Sequence, residues 1–406
     1  MTRDILGRSR PPVFWVWRPP SLPSRHSLVR ATAFVAGAVA IGAVAWCGNV
    51  LALPVAVLFP ALWAFSPSRF IATLVAAGYF LSSSRGLPEG VTIFYATDMI
   101  MGIGLWLAAS LCFVVVHSWL WTAKQDRQRP VRYAMAVSLM SVPPFGIVGW
   151  ASPITAAGVL FPGWGWFGLV ATAIGLSAMT TRAWSIIGLV FGVAFLSATS
   201  WTAPKPPAGW IGIDTEFDYD DHGRHADYGQ HLATIALVRK AATVGASKIV
   251  LPESAFGIWT PTTERFWKRN LKGLDVTVAG GAIVVDEAGY DNIIIEVTGQ
   301  GAKIIYRERM PVPVSMWQPW STGGAAAHFF DNPQVGFAGT SIVPLICYEQ
   351  LIVWPIVQSM LFHPDVIVAI GNGWWTGDTN IVAIQKASAE AWAALFEVPL
   401  VTAFNK

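Results

Sequence analysis

Two ionisable side chains stand at the ends of apolar runs, and their types match covalent acyl chemistry. Cys347 closes the run Ser341-Ile342-Val343-Pro344-Leu345-Ile346 and is followed by Tyr348-Glu349-Gln350. A thiol placed where a buried strand opens into a helix meets backbone N–H groups and the positive end of a helix dipole. Both favour a thiolate and can hold an oxyanion. Roughly ninety residues upstream, Lys248-Ile249-Val250-Leu251-Pro252 leads in the same way to Glu253. A carboxylate base beside a thiol nucleophile is the pairing needed to attack an acyl carbon. Each residue also has a plainer reading, Cys347 as a small buried apolar residue and Glu253 as a helix cap. His328 and His363 have no spacing that favours either as a partner for the thiol.

The elements that must carry these residues alternate. Strands are expected over 210–214, 248–251, 276–285, 292–297, 303–306, 341–346, 365–370 and 399–404, and helices over 228–244, 263–271, 348–361 and 380–396. Residues 310–327 read as an irregular segment, with Trp317 and Trp320 either on a lipid-facing lid or in a loop that packs. Alternation of this kind implies an α/β layered domain whose site gathers at the carboxyl ends of strands. Glu253, Cys347 and Asn372 all fall at such ends.

Before residue 200 the chain changes character. The whole sequence is 54% hydrophobic and 13% charged, against about 25% charged in globular proteins. Seven apolar spans are expected, over 31–48, 50–65, 69–83, 97–121, 133–150, 154–179 and 183–200, several of them shorter than the roughly 20 residues of a full crossing. The division is a basic segment over 1–30, a membrane domain over 31–200, a Pro-rich linker over 201–210 and an α/β domain over 211–406. With seven spans, the N-terminal arginines, Arg69, the cluster Lys124/Arg127/Arg129/Arg132 and Arg182 fall on one side. That places the N-terminus in the cytoplasm and the α/β domain outside, in a periplasm, with the chain a multi-pass protein of the inner membrane. Asp98 and His117 are the ionisable residues within the spans, too few for a transporter. A net charge of +3 excludes no partner but gives no reason to expect nucleic acid. Three cysteines and no His/Cys motif predict no metal and no cofactor.

The order of motifs resembles the nitrilase (carbon–nitrogen hydrolase) superfamily, and within it apolipoprotein N-acyltransferase, which joins a multi-span membrane half to a periplasmic nitrilase domain. The matching pieces are Leu251-Pro252-Glu253-Ser254, Tyr290-Asp291-Asn292, residues 306–319, Ile346-Cys347-Tyr348-Glu349, residues 372–378 and residues 399–405. A narrower likeness is to the TraB family of plasmid conjugal transfer proteins. The resemblance implies an N-terminal all-α membrane domain and a C-terminal αββα nitrilase-type domain. It implies a Glu–Lys–Cys triad in which Glu253 is the base and Cys347 becomes a thioester. Phospholipid would be the acyl donor and an amine, that of a lipoprotein for instance, the acceptor; proteins of the conjugation apparatus are the other expected partners. Tyr290, Trp317, Asn372 and Trp375 are the expected substrate-binding residues.

The chain departs from that pattern at the lysine. Alignment on Tyr306 and Pro313 sets Glu308 in its place, flanked by Arg307 and Arg309. A slip of one residue would bring an arginine inward, and Arg309 is the candidate replacement, able to steady an oxyanion but not to shuttle a proton. The family's second glutamate aligns with Met316, and the chain's last residue falls where the family has further strands, so a sheet short at one edge is expected. Two functions follow: a thiol acyltransferase or carbon–nitrogen hydrolase, or a scaffold of the nitrilase fold that has lost its chemistry.

Overall fold

The computed structural model describes residues 25–217 and 228–406; Arg3, Arg8, Arg10 and Arg18 of the expected basic segment lie outside them. The first half is helical: α1 (Arg25–Ala45), α2 (Phe59–Ala64), α3 (Arg69–Ser83), α4 (Leu87–Tyr95), α5 (Met99–Leu120), α6 (Gln128–Leu139), α7 (Ala157–Leu160), α8 (Gly165–Ala178) and α9 (Trp184–Ala198). Two of these, α1 and α5, are long and apolar enough to cross a bilayer. The segments Val50–Ala64, α3, α8 and α9 are apolar but shorter.

Two of the seven expected spans are not single helices. Residues 133–150 hold the end of α6 and then leave the helix around Met140, where the pair Pro143-Pro144 removes two backbone donors. Residues 154–179 are divided between α7 and α8, separated by Gly163 and Gly165, both with positive φ. Helix α4 fills a stretch read as a loop between spans. Apolar composition marks burial in general, whether by lipid or by protein, and residues 151–160 are all buried within the protein.

The second half is a four-layer sandwich. One sheet holds β1 (Trp210–Gly212), β2 (Lys248–Val250), β3 (Thr277–Val285), β4 (Tyr290–Val297) and β5 (Ala302–Arg307) in that order. The other holds β6 (Val335–Phe337), β7 (Thr340–Ile346), β8 (Val366–Asn372) and β9 (Leu400–Asn405). Strands β1, β2 and β3 run parallel, as do β7, β8 and β9. Strand β6 has no counterpart among the expected elements. The period-2 alternation of β8 explains the stacking: Val366, Val368 and Ile370 face the interior between the sheets, while Ile367 and Ala369 face outward. Helices α10 (Tyr228–Thr243) and α11 (Pro261–Leu271) cover the outer face of the first sheet, Ile235, Val238 and Trp267 packing on Ile249 and Val278.

Helices α12 (Val353–Met360) and α13 (Ile381–Phe396) cover the second sheet and are themselves covered by the helical half. Helix α13 is buried nearly all round, from Ile384 through Leu395, as a helix held between two layers must be. Its run of alanines admits close approach. Gly158 in α7 lies so near the Ala391 carbonyl that an added Cβ would stand 1.7 Å from its oxygen. One apolar core, including Trp46, Phe59, Leu345, Ile356 and Trp392, therefore runs through both halves.

Candidate active site

Cys347 follows β7 directly and begins a 3-10 turn, Cys347–Leu351, before α12. Its φ is +46°, a conformation that few non-glycine residues adopt and that is held only where the surroundings enforce it. The clamp is Glu349. One carboxylate oxygen accepts the Ile346 backbone N–H at 2.8 Å. The other accepts the Tyr306 hydroxyl at 2.6 Å and the backbone N–H groups of Arg309 and Met310 at 2.9 and 3.2 Å. The nucleophile turn and the end of β5 are thus fastened together.

Glu253 reaches the same point from β2. Its turn lies tight on β3, where a Cβ at Gly281 would stand 2.7 Å from the Glu253 Cα. The Glu253 carboxyl lies beside the Cys347 thiol, close enough for each to shift the other's proton equilibrium. Asn292, on β4, donates its side-chain amide to Glu253 Oε1 at 2.9 Å and to Glu308 Oε2 at 3.0 Å. Gln385 on α13 donates its amide to Cys347 Sγ at 3.3 Å. Cys347, Glu253, Asn292 and Glu308 are all buried.

Burial governs the electrostatics. It pushes Glu253 up to about 7, against partial relief from the Asn292 and Cys347 hydrogen bonds. Glu308 rises well above the carboxylate range, first by burial and then by repulsion from Glu349 and Glu253. Cys347 is likewise raised by burial, Glu253 and Glu308, with Gln385 opposing. This reverses the expectation of a thiol acidified by a helix end. The element after Cys347 is a short 3-10 turn rather than an α-helix, and two carboxyls face the sulfur. The resting group is a thiol.

Arg309 does not occupy the place expected of it. Its guanidinium is fully buried and donates to the Tyr306 hydroxyl, the Pro355 carbonyl, Gln358 Oε1 and Ser359 Oγ. These partners lie on α12 and β5, behind the nucleophile turn, and Arg309 does not line the cavity in front of it. Strand β5 ends at Arg307, which pairs with Asp291, and past the strand end the polar groups of α12 draw the Arg309 side chain to themselves. No slip of register occurs, and Glu308 stands where the lysine was expected.

In front of Cys347 lies a cavity of about 870 Å³. Tyr290, Asn372 and Trp375 line it, with Glu253, Asn292 and Gln385. Its far wall belongs to the helical half: Leu105, Ala108, Ala109 and Cys112 form one stripe of α5, with Val91 and Phe94 of α4 alongside. Trp317 is not on the wall. Its ring packs edge-on against Phe329, 5.2 Å between centroids, in a cluster with Met310 and Tyr348. Met316 lines the cavity instead. Gln385 escaped the sequence reading because it sits inside an apolar helix and only the fold brings it to the sulfur. Asn292 was visible only as part of a turn motif. Among the described residues no cluster of His, Cys, Asp and Glu is placed to hold a metal.

The carbon–nitrogen hydrolase family profile matches residues 114–394. Over 421 aligned positions spanning both full chains, the sequence is 53% identical to the conjugal transfer protein TraB of Agrobacterium fabrum. It is 52% identical over 373 positions to a probable conjugal transfer protein TraB of Sinorhizobium fredii, covering 90% of this chain and 96% of that one. A carbon–nitrogen hydrolase structure from Helicobacter pylori aligns with 48% of this chain and 72% of its own, at 13% identity and a TM-score of 0.36.

Proposed function

Because the chain belongs to the carbon–nitrogen hydrolase family, and with it to the TraB conjugal transfer proteins, we propose that it is a membrane-bound thiol acyltransferase serving plasmid conjugation. The observation that carries this reading is that Cys347 and Glu253 share the end of a cavity whose other wall is α5, one of the two helices able to cross a membrane. An acyl chain arriving from lipid would lie along Leu105, Ala108 and Ala109 with its ester at the sulfur.

The reaction then runs in two steps. Glu253 accepts the thiol proton as Cys347 Sγ bonds to the ester carbon. The C–O bond breaks, the alcohol of the lysolipid leaves with that proton, and a thioester remains. An amine next attacks the thioester, giving up a proton by way of Glu253 as the C–S bond breaks. The products are an amide and the free thiol. The Gln385 amide and the backbone N–H groups of the turn are the donors available to the developing charge. Phospholipid as donor, a lipoprotein amine as acceptor, and a multi-pass helical half with the N-terminus cytoplasmic and the nitrilase domain periplasmic belong to the same proposal. The loop-charge pattern supports the orientation.

The test is an intact mass of the detergent-purified protein after incubation with phospholipid. A hydroxylamine-labile acyl adduct, missing in Cys347→Ala, supports the reading. Its absence from folded protein favours the second one, a scaffold of the conjugation machinery. The observation behind that alternative is Glu308, which sets a carboxyl where an ammonium belongs.

A further inference from the structure

We propose that Glu308 is the proton-holding member of a carboxyl pair: bridged to Glu253 through the single amide of Asn292, it stays a neutral acid and leaves Glu253 alone to act as base. Glu308 is in this sense a positioning residue, a charge-neutral way of building a site from which the lysine is missing. The inference rests on the reading of Cys347 as nucleophile.

The geometry carries it. Asn292 Nδ2 has two hydrogens, and they are spent on Glu253 Oε1 at 2.9 Å and Glu308 Oε2 at 3.0 Å. Two carboxyls therefore meet at one nitrogen in a buried place, with Glu308 1% exposed. Two full negative charges there would need a cation. The charged and titratable groups around Glu308 are Glu253 after β2, Glu349 and Cys347 on the nucleophile turn, and Tyr306 and Arg309 at the end of β5. Arg309 is the one cation among these, and its donors are taken by Tyr306, Pro355, Gln358 and Ser359, beside Glu349. Nothing positive is left for the Glu253–Glu308 pair. Like charges sharing a buried site resolve by keeping one proton between them. Glu308 is the member that keeps it. Each carboxyl has one oxygen that is closed to solvent and has no partner, but Glu308 is the more deeply buried and does not line the cavity. Glu253 instead faces the cavity and the thiol. The shift of Glu308, well above that of an ordinary carboxyl, agrees with the geometry.

A neutral Glu308 has two consequences for the thiol. It removes a repulsion that would otherwise hinder the thiolate as it forms, and it fixes the Asn292 amide so that Glu253 is held against Cys347.

Infrared difference spectroscopy of the full-length protein in detergent reads the proton directly. At pH 9, above the value of about 7 to which Glu253 is raised, the wild type should show the carbonyl stretch of a protonated carboxyl, and Glu308→Gln should lose it. Glu253→Gln should keep the band, a second test should E308Q fail to fold. Loss of the band in E253Q, or its absence from the wild type, overturns the proposal. Alkylation of Cys347 by iodoacetamide against pH gives an independent readout. Beyond the inflection of the thiol itself, the wild-type profile should carry one for each carboxyl of the pair, and E308Q should remove one of these. An ionised Glu308 predicts instead that E308Q speeds alkylation at pH 7 by about tenfold or more, as one unit of thiol shift requires. Neither measurement depends on acyl transfer, so the failure of an acyl adduct to form would be separately visible.

Discussion

Glu349 and Arg309 meet in the protein interior at 3.8 Å, both side chains fully buried, and their contact holds the guanidinium away from the cavity in front of Cys347. Glu349 gathers the backbone of the nucleophile turn and of residues 309 and 310, and Arg309 neutralises it while reaching across to α12. Removing either partner leaves an unpaired buried charge, a loss of about 3–5 kcal/mol. Glu349→Ala and Arg309→Leu should therefore lower the unfolding midpoint sharply in a thermal melt. Arg309→Lys should do so as well, since one ammonium cannot replace the guanidinium fork. An oxyanion role for Arg309 would instead show as lost acylation in R309K with an unchanged melt.

Stability and activity should depend on pH in opposite senses. Glu253 has its pKa raised from 4.5 to about 7. Between these values the folded protein holds a proton that the unfolded chain releases. The stability this gives is full below pH 4.5 and is lost as pH rises through about 7. The loss is on the order of 3 kcal/mol for Glu253 alone, and Glu308 acts in the same direction. The base, by contrast, works only when ionised, so acylation of Cys347 should rise through the same window. Melts at pH 5 and pH 8 should show the wild type less stable at the higher value, with a smaller difference in Glu253→Gln. A wild-type midpoint that rises with pH would contradict the assignment.

The strand ends were legible because an apolar run closed by a polar or ionisable residue is a local signal, and Glu253, Cys347 and Asn372 each closed one. The α/β class followed from the alternation of strands and helices along the chain, and the layer order from the family resemblance. Long-range geometry was not legible. Gln385 reads as one polar residue in an apolar helix, and only the packing of α13 on the second sheet turns it toward the sulfur. The register at Glu308 could be argued from periodicity, yet the partners that draw Arg309 away lie some fifty positions on, in α12. In the helical half, the apolar stretch 154–160 read as part of a span because lipid and a protein neighbour select the same residues.

That stretch holds the joint between the halves. A Cβ at Gly158 would meet the Ala391 backbone carbonyl, which cannot move without shifting α13. Gly158→Ala should therefore cost about 1–3 kcal/mol and slow Cys347 alkylation, because Gln385 rides on the same helix. Gly104→Ala on α5 is the control. Nothing lies within 4 Å of the added carbon, and removing a glycine from a helix interior should stabilise by roughly 0.5–1 kcal/mol. Thermal melts with parallel alkylation rates would decide it; equal behaviour of the two variants would mean that α7 and α13 are not coupled in this way.

The cavity wall on α5 makes the last prediction, and it separates binding of an acyl chain from chemistry at the thiol. Ala108 and Ala109 are small residues on the stripe facing the cavity, with Leu105 and Cys112 on either side. Their size leaves room between α5 and the sulfur. Ala108→Trp or Ala109→Phe would fill that room without touching Glu253, Asn292 or Gln385. A long chain loses burial of about 0.8 kcal/mol for each methylene turned out of the cavity, so exclusion of two or three suffices for a tenfold or greater loss. Thioester formation from a long-chain ester should fall by about that factor, while an acetyl ester, too short to reach α5, should be far less affected. Equal losses for both donors would mean that the substitution disturbs the site itself. Equal retention would place the acyl chain elsewhere than along α5, and would remove the reason for linking this thiol to a membrane donor.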